Sequence, residues 1–468
     1  MNTLVIIGAG FSGTVAAIEF LRTAPEGSKL IIVNRSGQMA KGLAYGTNSP
    51  IHLLNVPAGN MTAIVNEPDS YLRYCQLSDE SITASSFTPR KLYGEYLESL
   101  LKGAEFSAKG RVHFKQICAN VKYISGRANG ATIELDNKEE IFADQVILAL
   151  GHFPPLTPFA LAGIQNTHSY IPDPWSKSIS KLHDSDAPIL LVGGGLTALD
   201  VISSLKKNNH TGKIFMLSRR GLLPLPHRSS RGTTVSHNSF REKLILQAPT
   251  TLNYFHLIRR YINTCTDSNW RDVVAALRPI TSQLWIRLPR KERDRFLRHV
   301  QPYWDVHRHR VAPGTYAMFE EALKETKIST IAGRIKSVEE RTDDIKLTIS
   351  LRGKPQETTL NVKHIINCTG PNSNPKLIDE HLIKSLISKD LISIDKHGLG
   401  INVTNDLAVI DSTGKASTWL TYVGPMLKAN FWEATAVPEL RVYASLAAAK
   451  VSALFSNNMS KNGKYRSR

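Results

Sequence analysis

Two glycine-rich turns, far apart in the chain, have the spacing that binds nucleotide phosphates. The first reads GAGFSG at residues 8–13, after an apolar run at 4–7; the second reads GGGLTA at 193–198, after an apolar run at 189–192. In the G-x-G-x-x-G/A pattern, the first glycine permits the turn, the second admits a pyrophosphate, and the third allows close helix–strand packing. Free N–H groups at the helix N-terminus then hold the anion. The sequence therefore predicts two dinucleotide sites.

The residues of each turn, and the end of the strand beside the first, are predicted to contact the nucleotides. In the first unit, the strand at residues 30–33 ends at Asn34, where a dinucleotide fold usually has an acid on the ribose hydroxyls. Asparagine still accepts a hydrogen bond from a hydroxyl, although it brings no charge. The predicted contacts are Gly8, Gly10, Phe11, Ser12, Gly13 and Asn34 at the first turn, and Gly193, Gly195, Leu196 and Thr197 at the second.

A pair of arginines follows the second strand of the second unit. Ser218, Arg219 and Arg220 come directly after the strand at 213–217. An acid at this position holds the ribose hydroxyls of NAD, whereas arginine meets the 2′-phosphate of NADP. The three residues favour NADPH at the second turn over the alternative of two ordinary surface arginines.

Further blocks have the irregular, glycine-rich character of a flavin pocket. Residues 41–46 and 52–61 lie just beyond the first ribose position, and residues 424–438 form a turn before a helix whose N–H groups would stabilise negative charge on a reduced ring. A plain surface loop and a packed amphipathic helix are the alternatives. The predicted contacts are Tyr45, His52, Asn55, Met61, Gly424, Trp432 and Glu433, with Thr369 and Gly370 after the strand at 362–368.

The elements around these motifs predict an α/β fold. Apolar runs alternate with helical segments at each glycine turn, so each unit is predicted to be βαβ with a parallel sheet. The strand at 362–368 is expected to return the chain to the first domain. We predict two Rossmann-like dinucleotide-binding domains, the second inserted in the first. The predicted parts are an FAD-binding domain at 1–155 and 363–455, an NADP-binding domain at 156–362 with a helical insertion at about 235–310, and a disordered basic tail at 456–468.

Composition limits the class of protein. Of 468 residues, 42% are hydrophobic and 21% charged, which is ordinary for a globular chain of two or three domains. No apolar run reaches the ~18–20 residues of a membrane span, and the chain enters a strand at once, so neither a span nor a signal peptide is expected. The four scattered cysteines form no C-x-x-C pair, which favours a cytoplasmic location and argues against a disulfide reductase.

The chain is basic, with a formal net charge of +18. Its densest basic stretch, at 271–310, mixes both signs as a solvated helix face does, and without a nucleic-acid motif no nucleic acid is expected. Residues 304–313 are rich in hydrogen-bond donors, and form either a cationic patch facing NADP phosphates or an acidic substrate, or a solvated loop. His307 and His309 lack further ligands at metal spacing, so no metal is expected.

Together these blocks resemble a bacterial FAD/NAD(P)-binding family related to the class B flavin monooxygenases. The resemblance runs nearly end to end and rests on residues 8–13, 42–45, 53–58, 193–200, 218–221, 304–313, 367–371 and 432–441. The Baeyer–Villiger linker F-x-G-x-x-x-H is not matched, because Gly163 and His168 are one residue too far apart. The resemblance therefore implies the N-hydroxylating kind, whose better understood relatives oxidise amines to N-hydroxyl or nitro products.

The resulting hypothesis is a flavin-dependent oxidoreductase, an NADPH-dependent FAD monooxygenase. NADPH at the second turn would reduce FAD at the first. The reduced flavin would take up molecular oxygen as a C4a-hydroperoxide and oxidise a small nucleophilic substrate such as an amine. No catalytic side chain is assigned, and the oligomeric state stays open. The alternatives are an FAD-dependent NADPH oxidase or reductase with another acceptor, and a non-catalytic FAD/NADP-binding redox sensor.

Overall fold

The chain forms two compact units, one inserted in the other. The computed structural model describes residues 2–176, 179, 182, 186–228, 236–265 and 269–466, with side chains up to residue 458. The first unit consists of Met1–Pro50, Pro57–His152 and Ser373–Arg468, and the second of Ile51–Val56 and Phe153–Asn372. Both units are α/β.

The strands and helices are numbered in chain order. The strands are β1 (Thr3–Ile7), β2 (Ser28–Val33), β3 (Val112–Ile117), β4 (Val121–Arg127), β5 (Gly130–Leu135), β6 (Glu140–Ala143), β7 (Gln145–Leu148), β8 (Tyr170–Ile171), β9 (Ile189–Val192), β10 (Ile214–Ser218), β11 (Ile328–Glu340), β12 (Ile345–Leu351), β13 (Glu357–Val362), β14 (His364–Asn367), β15 (Ala408–Ile410) and β16 (Ala416–Tyr422). The helices are α1 (Phe11–Thr23), α2 (Gly42–Tyr45), α3 (Ser70–Gln76), α4 (Arg90–Ala108), α5 (Leu196–Lys207), α6 (Asn238–Leu246), α7 (Thr251–Thr264), α8 (Trp270–Ala276), α9 (Thr281–Arg287), α10 (Arg290–Arg295), α11 (Gln301–Arg308), α12 (Pro313–Lys324), α13 (His381–Ser388) and α14 (Val437–Arg466).

The first unit is built on a six-stranded sheet in the order β15–β16–β7–β1–β2–β3, in which only the β15–β16 pair is antiparallel. Its central strands are almost entirely apolar and buried, as in parallel sheets that helices cover on both faces. Helix α1 is buried nearly all round and packs against α4 and α14. Phe20 and Phe455 meet edge to face at the α1–α14 contact, with ring centroids 5.8 Å apart.

The second unit repeats this plan with a seven-stranded sheet in the order β13–β12–β11–β10–β9–β14–β8. The neighbouring pairs β8–β14, β14–β9, β9–β10 and β10–β11 are parallel. Beyond Ala332, β11 continues and pairs antiparallel with β12, with a bulge between Ile335 and Ser337. Leu190 and Leu191 belong to separate hydrophobic clusters because successive strand residues point to opposite faces of the sheet. The sheet is thus packed on both sides.

A helical segment separates β10 from β11 in the second unit. Helices α6 to α12 occupy the described part of residues 238–324, a longer span than the helical insertion predicted at about 235–310. A π-helical turn at Phe296–Val300 joins α10 to α11. Residues 301–308 form helix α11, where the sequence left a solvated loop as one alternative. Phe319 of α12 packs with residues of α5 in one core cluster.

The strand predicted at 362–368 lies in a different sheet from the one expected. β14 pairs with β9 and β8 in the second unit, and the chain returns to the first unit only at Ser373. β14 therefore plays the part in the second sheet that β7 plays in the first, as the parallel neighbour of the strand before the glycine turn. The strand that joins β7 in the first sheet is β16.

Two further segments differ from their prediction. Residues 51–56, predicted within the first domain, belong to the second unit. The C-terminal helix α14 runs to Arg466, through most of the segment predicted as a disordered tail at 456–468. Adding a residue to an existing helix is far easier than starting one, so a helix anchored against α1 extends into a polar sequence. Residues 467 and 468 lie outside the described residues.

Candidate dinucleotide-binding sites

The first glycine turn joins β1 to α1 in a conformation that only glycine accommodates. Gly8 has φ +102°, and a Cβ there would lie 2.6 Å from the carbonyl oxygen of Ala149, directly after β7. A Cβ at Gly13 would lie 1.9 Å from the carbonyl oxygen of Gly8. The two glycines therefore hold the helix start against the carboxyl ends of two parallel strands.

The N-terminus of α1 has the character of an anion site. Gly10 is the N-cap and no side chain caps the helix, so the first-turn N–H groups, including those of Phe11 and Ser12, have no intrahelical acceptor. The α2 loop approaches this turn closely, because a Cβ at Gly42 would lie 2.9 Å from the Cα of Gly10. The structure thus brings the predicted block at 41–46 to the first turn.

Asn34 ties the end of β2 to the same turn. Its Oδ1 accepts a hydrogen bond from the Ala9 N–H at 3.3 Å, while its Nδ2 donates to Ser36 Oγ and to the carbonyl oxygen of Gln38, both at 2.9 Å. An asparagine can make all three bonds because its side chain carries both an acceptor oxygen and a donor NH₂ group, whereas an ionised aspartate has acceptors only. Asn34 lies at the predicted ribose position and also shapes the turn.

Tyr45 belongs to a cluster of aromatic rings beside the start of α1. Its ring centroid lies 4.6 Å from that of Tyr93 on α4 and 6.3 Å from that of Phe11. Tyr71 and Tyr96 complete the cluster around Tyr93. Burial raises the pKa of Tyr45 to about 12, so its hydroxyl is a neutral hydrogen-bonding group.

Several buried polar atoms in the first unit have no hydrogen-bond partner among the described residues. Two of them are the hydroxyl of Tyr93, which belongs to the tyrosine cluster, and Nε of Arg441 on α14. Arg441 also donates from Nη1 to the carbonyl oxygen of Thr62 at 3.0 Å, and its charge acts on Tyr93. Buried polar groups are ordinarily paired, so these two point to a ligand. The sequence analysis missed Tyr93, although tyrosines at 93 and 96 in a largely polar helix were a visible signal.

The remaining predicted flavin contacts of the first unit lie close to the end of strand β7 or are buried in the core of that unit. A Cβ at Gly424 would lie 2.6 Å from the carbonyl oxygen of Leu150, which places the C-terminal turn at that strand end. Trp432 and Glu433 are buried in the turns before α14. Met61 is only 2% exposed and directly precedes Thr62, the acceptor for Arg441.

The second glycine turn repeats the geometry of the first. Gly193 has φ +120°, and a Cβ there would lie 2.2 Å from the carbonyl oxygen of Cys368, directly after β14. Gly195 is the N-cap of α5, with open space around its missing side chain, and Leu196 and Thr197 open the helix. This turn too offers first-turn N–H groups to an anion.

Thr369 and Gly370 belong to the second turn. Thr369 donates from both its N–H and its hydroxyl to Oδ1 of Asn367, and its nitrogen would lie 3.0 Å from a Cβ on Gly193. This placement follows from β14 lying in the second sheet. Burial raises the pKa of the neighbouring Cys368 thiol, as expected for a core residue without thiolate reactivity.

An arginine-rich pocket of about 480 Å³ lies at the end of β10, beside Ser218, whose Oγ accepts a hydrogen bond from the Gly221 N–H at 3.0 Å. Among the residues that the structure describes, no acidic side chain lines the pocket. Three of its arginines come from elsewhere in the sequence, where no local motif marks them. The pocket arginines are Arg219, Arg220, Arg298, Arg334 and Arg352.

The two arginines predicted from the sequence differ in their surroundings. Arg219 is exposed at the pocket. Arg220 donates to the carbonyl oxygens of Arg298 and His299 and lies 5.4 Å from the ring centroid of Tyr303. Arg220 therefore anchors the π-helical turn to β10, while Arg219 is available to a phosphate.

His52 and Asn55, predicted as flavin contacts, lie in the second unit. His52 is 8% exposed and its Nε2 lies 2.8 Å from Ser204 Oγ on α5. The carbonyl oxygen of Asn55 lies 2.9 Å from Nε2 of His227. Nothing in the local sequence marks these partners, which lie more than a hundred residues away. Their contact with a flavin stays a prediction.

The described residues contain no helix long and apolar enough to cross a membrane. Within the same residues, no three histidine, cysteine or acidic side chains are grouped as a metal site would require.

Comparison with known proteins agrees with this architecture. Residues 5–153 match the profile of the FAD-NAD(P)-binding family, and no curated protein sequence matches the chain significantly. The fold resembles the ornithine N-hydroxylase of Kutzneria sp. 744, solved with reduced FAD, NADP⁺ and L-ornithine, with TM-score 0.61 and 12% identity over 96% of this chain and 98% of that one.

Two other solved structures extend the comparison. The FAD-bound cadaverine monooxygenase of Erwinia amylovora has TM-score 0.63 and 12% identity, over 95% of this chain and 92% of that one. The bacillithiol disulfide reductase of Staphylococcus aureus has TM-score 0.55 and 13% identity, over 97% and 99%. At this level of identity the likeness is one of fold.

The paired sheets and glycine turns give the chain a fold with two dinucleotide-binding-type units. Residues 5–153 match the model of the FAD-NAD(P)-binding family, and the fold of the whole chain resembles that of the ornithine N-hydroxylase and the cadaverine monooxygenase. The predicted fold class is thereby confirmed, and the resemblance inferred from the sequence agrees with these structures at the level of the fold.

Proposed function

We propose that this protein is an NADPH-dependent FAD monooxygenase that oxidises a small nucleophilic substrate such as an amine. The observation that carries the proposal is the inequality of the two glycine turns. The first adjoins the tyrosine cluster and the unpaired atoms of Tyr93 and Arg441, whereas the arginine pocket follows the strand beside the second. FAD fits the first environment and NADPH the second.

The residues of the first turn fit FAD. The α1 N-terminus would hold the pyrophosphate and Asn34 a ribose hydroxyl. Within the described part of the chain, the Tyr93 hydroxyl and Nε of Arg441 are buried donors without an acceptor, and a flavin ring presents carbonyl oxygens and nitrogens that would accept from them. Arg441 also brings a permanent positive charge, which stabilises an anionic reduced ring.

The residues of the second turn fit NADPH. The α5 N-terminus would hold its pyrophosphate, and the pocket at the end of β10 its 2′-phosphate, with Arg219 as the available ligand. Arg220 would act indirectly, since its guanidinium holds the carbonyl oxygens that shape the wall of the pocket. NADPH, rather than NADH, is the coenzyme that this charge favours.

Bound FAD would supply the redox chemistry: reduced by NADPH, it would activate molecular oxygen as an electrophilic oxygen donor. In the overall reaction, one NADPH, one O₂ and one proton are consumed per substrate. One oxygen atom is transferred to the substrate nitrogen and the other leaves as water. The protein would position the partners and exclude water, so no side-chain nucleophile is required. Four free cysteines support a cytoplasmic location as part of the proposal.

Rapid mixing of the NADPH-reduced protein with oxygen tests the proposal. A flavin–oxygen adduct, seen as a transient absorbance that outlives flavin reduction, together with N-hydroxylated product from a panel of amines, is the expected result. Reoxidation without the transient and with peroxide as sole product would indicate an NADPH oxidase. Reduction by NADPH without reaction with oxygen would indicate a reductase for another acceptor, and absence of reduction a binding protein.

A further inference from the structure

Three large apolar side chains are exposed at one corner of the helical segment in the second unit. Leu246, the last residue of α6, is 82% exposed, Leu252, the second residue of α7, is 63% exposed, and Ile286, near the end of α9, is 49% exposed. Single exposed apolar residues are common on protein surfaces, whereas several exposed together mark a surface that contacts another molecule. We refer to these three residues as the apolar corner.

Hydrogen bonds hold the helix ends of the apolar corner together. Nη2 of Arg287 donates to the carbonyl oxygen of Gln247 at 3.0 Å, which joins the end of α9 to the end of α6. The N–H of Thr251 donates to Oε2 of Glu292 at 2.9 Å, and its hydroxyl donates to the carbonyl oxygen of Glu292 at 2.7 Å, which joins the start of α7 to α10. Gln247, Thr251 and Arg287 are direct sequence neighbours of the three apolar residues. The apolar corner is therefore a fixed feature of the fold.

The four helices that form the corner carry an exposed excess of positive charge. Only two of their acidic residues, Glu242 and Asp294, are exposed, because Glu292 is buried. Residues 238–295 as a whole contain eleven arginines and lysines against five aspartates and glutamates. The exposed cations of α6, α7, α9 and α10 are Lys243, Arg259, Arg260, Arg290, Lys291 and Arg295.

This combination of charge and apolar side chains favours one kind of partner. A second copy of the chain would bring two cationic surfaces together, and juxtaposed like charges oppose association. A bilayer with anionic headgroups offers both of the environments that the corner needs, because its acyl boundary accepts apolar side chains and its headgroups attract cations. Lysine and arginine side chains are long enough to remain at the headgroups while their methylene groups lie along apolar surface.

We propose that the apolar corner docks this protein on an anionic phospholipid surface, with Leu246, Leu252 and Ile286 entering the interface and the surrounding cations contacting the headgroups. The two contributions act together, since a small apolar contact or a few surface charges alone give only weak, reversible binding. The proposal concerns the outer face of the helical segment and does not depend on the proposed redox function.

Co-sedimentation of the purified full-length protein with lipid vesicles tests the proposal. The protein is expected to bind vesicles of phosphatidylglycerol and phosphatidylcholine in equal parts, and to bind pure phosphatidylcholine vesicles much more weakly. Leu246→Asn should weaken binding at least about tenfold, through the loss of one buried leucine. Arg290→Gln should weaken it about fivefold, through the loss of one cation near the headgroups.

Leu77→Asn is the matched control, because Leu77 is 85% exposed and lies in the first unit, outside the corner. Its vesicle binding should equal that of the wild type. All three side chains are exposed or partly exposed at the surface, so the melting temperatures should stay close to that of the wild type. Leu252→Asn repeats the test of the corner if Leu246→Asn is unstable.

The other outcomes would overturn the proposal. These are absence of binding to the anionic vesicles, equal binding to both kinds of vesicle, and equal binding by Leu246→Asn and Leu77→Asn. Dimerisation in analytical ultracentrifugation that Leu246→Asn abolishes, without vesicle binding, would assign the corner to a second copy of the chain. Retention on immobilised polyglutamate without vesicle binding would assign it to an acidic protein.

Discussion

The two glycine turns use one backbone device in two chemical environments. In each, a glycine with positive φ lies against the carbonyl oxygen after the neighbouring parallel strand, that of Ala149 in the first unit and that of Cys368 in the second. The first turn adjoins a tyrosine cluster, whereas five arginines line a pocket at the end of β10, the strand beside the one that precedes the second turn. Under the proposed function, the shared turn geometry would hold the pyrophosphate of either dinucleotide, while distant side chains would favour one dinucleotide over the other.

The third position of each motif should show the largest difference between the turns. Gly13→Ala would push a methyl group to 1.9 Å from a backbone oxygen, whereas Ala198 already carries a Cβ in the second core. We expect Gly13→Ala to lose bound FAD or fail to fold, measured as flavin absorbance per protein. Ala198→Gly should retain FAD and cost about 1 kcal/mol in the free energy of unfolding. Full FAD content in Gly13→Ala would contradict this geometry.

Arg219 should be the residue that separates NADPH from NADH. Arg219→Ala removes a charge-assisted contact to the 2′-phosphate, for an expected ten- to hundredfold rise in the KM for NADPH, about 1.5–3 kcal/mol. The KM for NADH should change less than about twofold. Arg260→Ala, at an exposed arginine of α7, is the control. Equal effects on both coenzymes would show that the 2′-phosphate does not bind in this pocket.

Tyr93 tests whether the first turn adjoins a flavin. In the free protein its buried hydroxyl has no partner among the described residues, so Tyr93→Phe should leave the stability of the apoprotein unchanged or slightly higher. If the hydroxyl contacts FAD, the same variant should bind FAD about five- to tenfold more weakly, a loss of about 1 kcal/mol. Titration of apoprotein with FAD measures this, and unchanged affinity would place the ring elsewhere.

His227, in the second unit, should give the stability of the protein a dependence on pH. Burial and the charges of Arg310, Arg271 and Arg308 lower its pKa to about 4 from 6.5, against a smaller opposing effect of the Asn55 carbonyl oxygen. Between these values the unfolded chain binds a proton that the folded chain does not, so this contribution to stability is lost as pH falls from about 6.5 to 4. His227→Gln should make the melting temperature less dependent on pH over that range. An unchanged slope would contradict the assignment.

Patterns within a few neighbouring residues predicted the strands, turns and helices that depend on short-range interactions. The apolar runs before both turns and the helices after them follow from hydrophobic periodicity and glycine spacing, and the sequence order marked Arg219 at the end of β10. The neighbours of β14 could not be predicted in this way. Two parallel strands of similar composition compete for each position in a sheet, and only the packing of the complete sheet selects between them.

The basic stretch at 271–310 shows the same limit at the level of side chains. In sequence its mixed charges resemble a solvated helix face, yet Arg298 lines the pocket after β10, while Arg271, Arg308 and Arg310 converge with Arg228. Helix bends and the bridge between Pro226 and Val311 create that convergence. Neither leaves a periodic trace in the sequence.

The sequence by itself determined the two glycine turns, because the need for glycine there comes from steric constraints in the turn itself. The tertiary structure decided which tyrosines adjoin the first turn, which arginines line the pocket at the end of β10, and that residues 51–56 belong to the second unit. Charges interact through space, and the folded chain brings together charged and polar side chains, such as those of Tyr93 and Arg441, that are up to a few hundred residues apart in the sequence. The identity of each site therefore depends on contacts that only the folded chain creates.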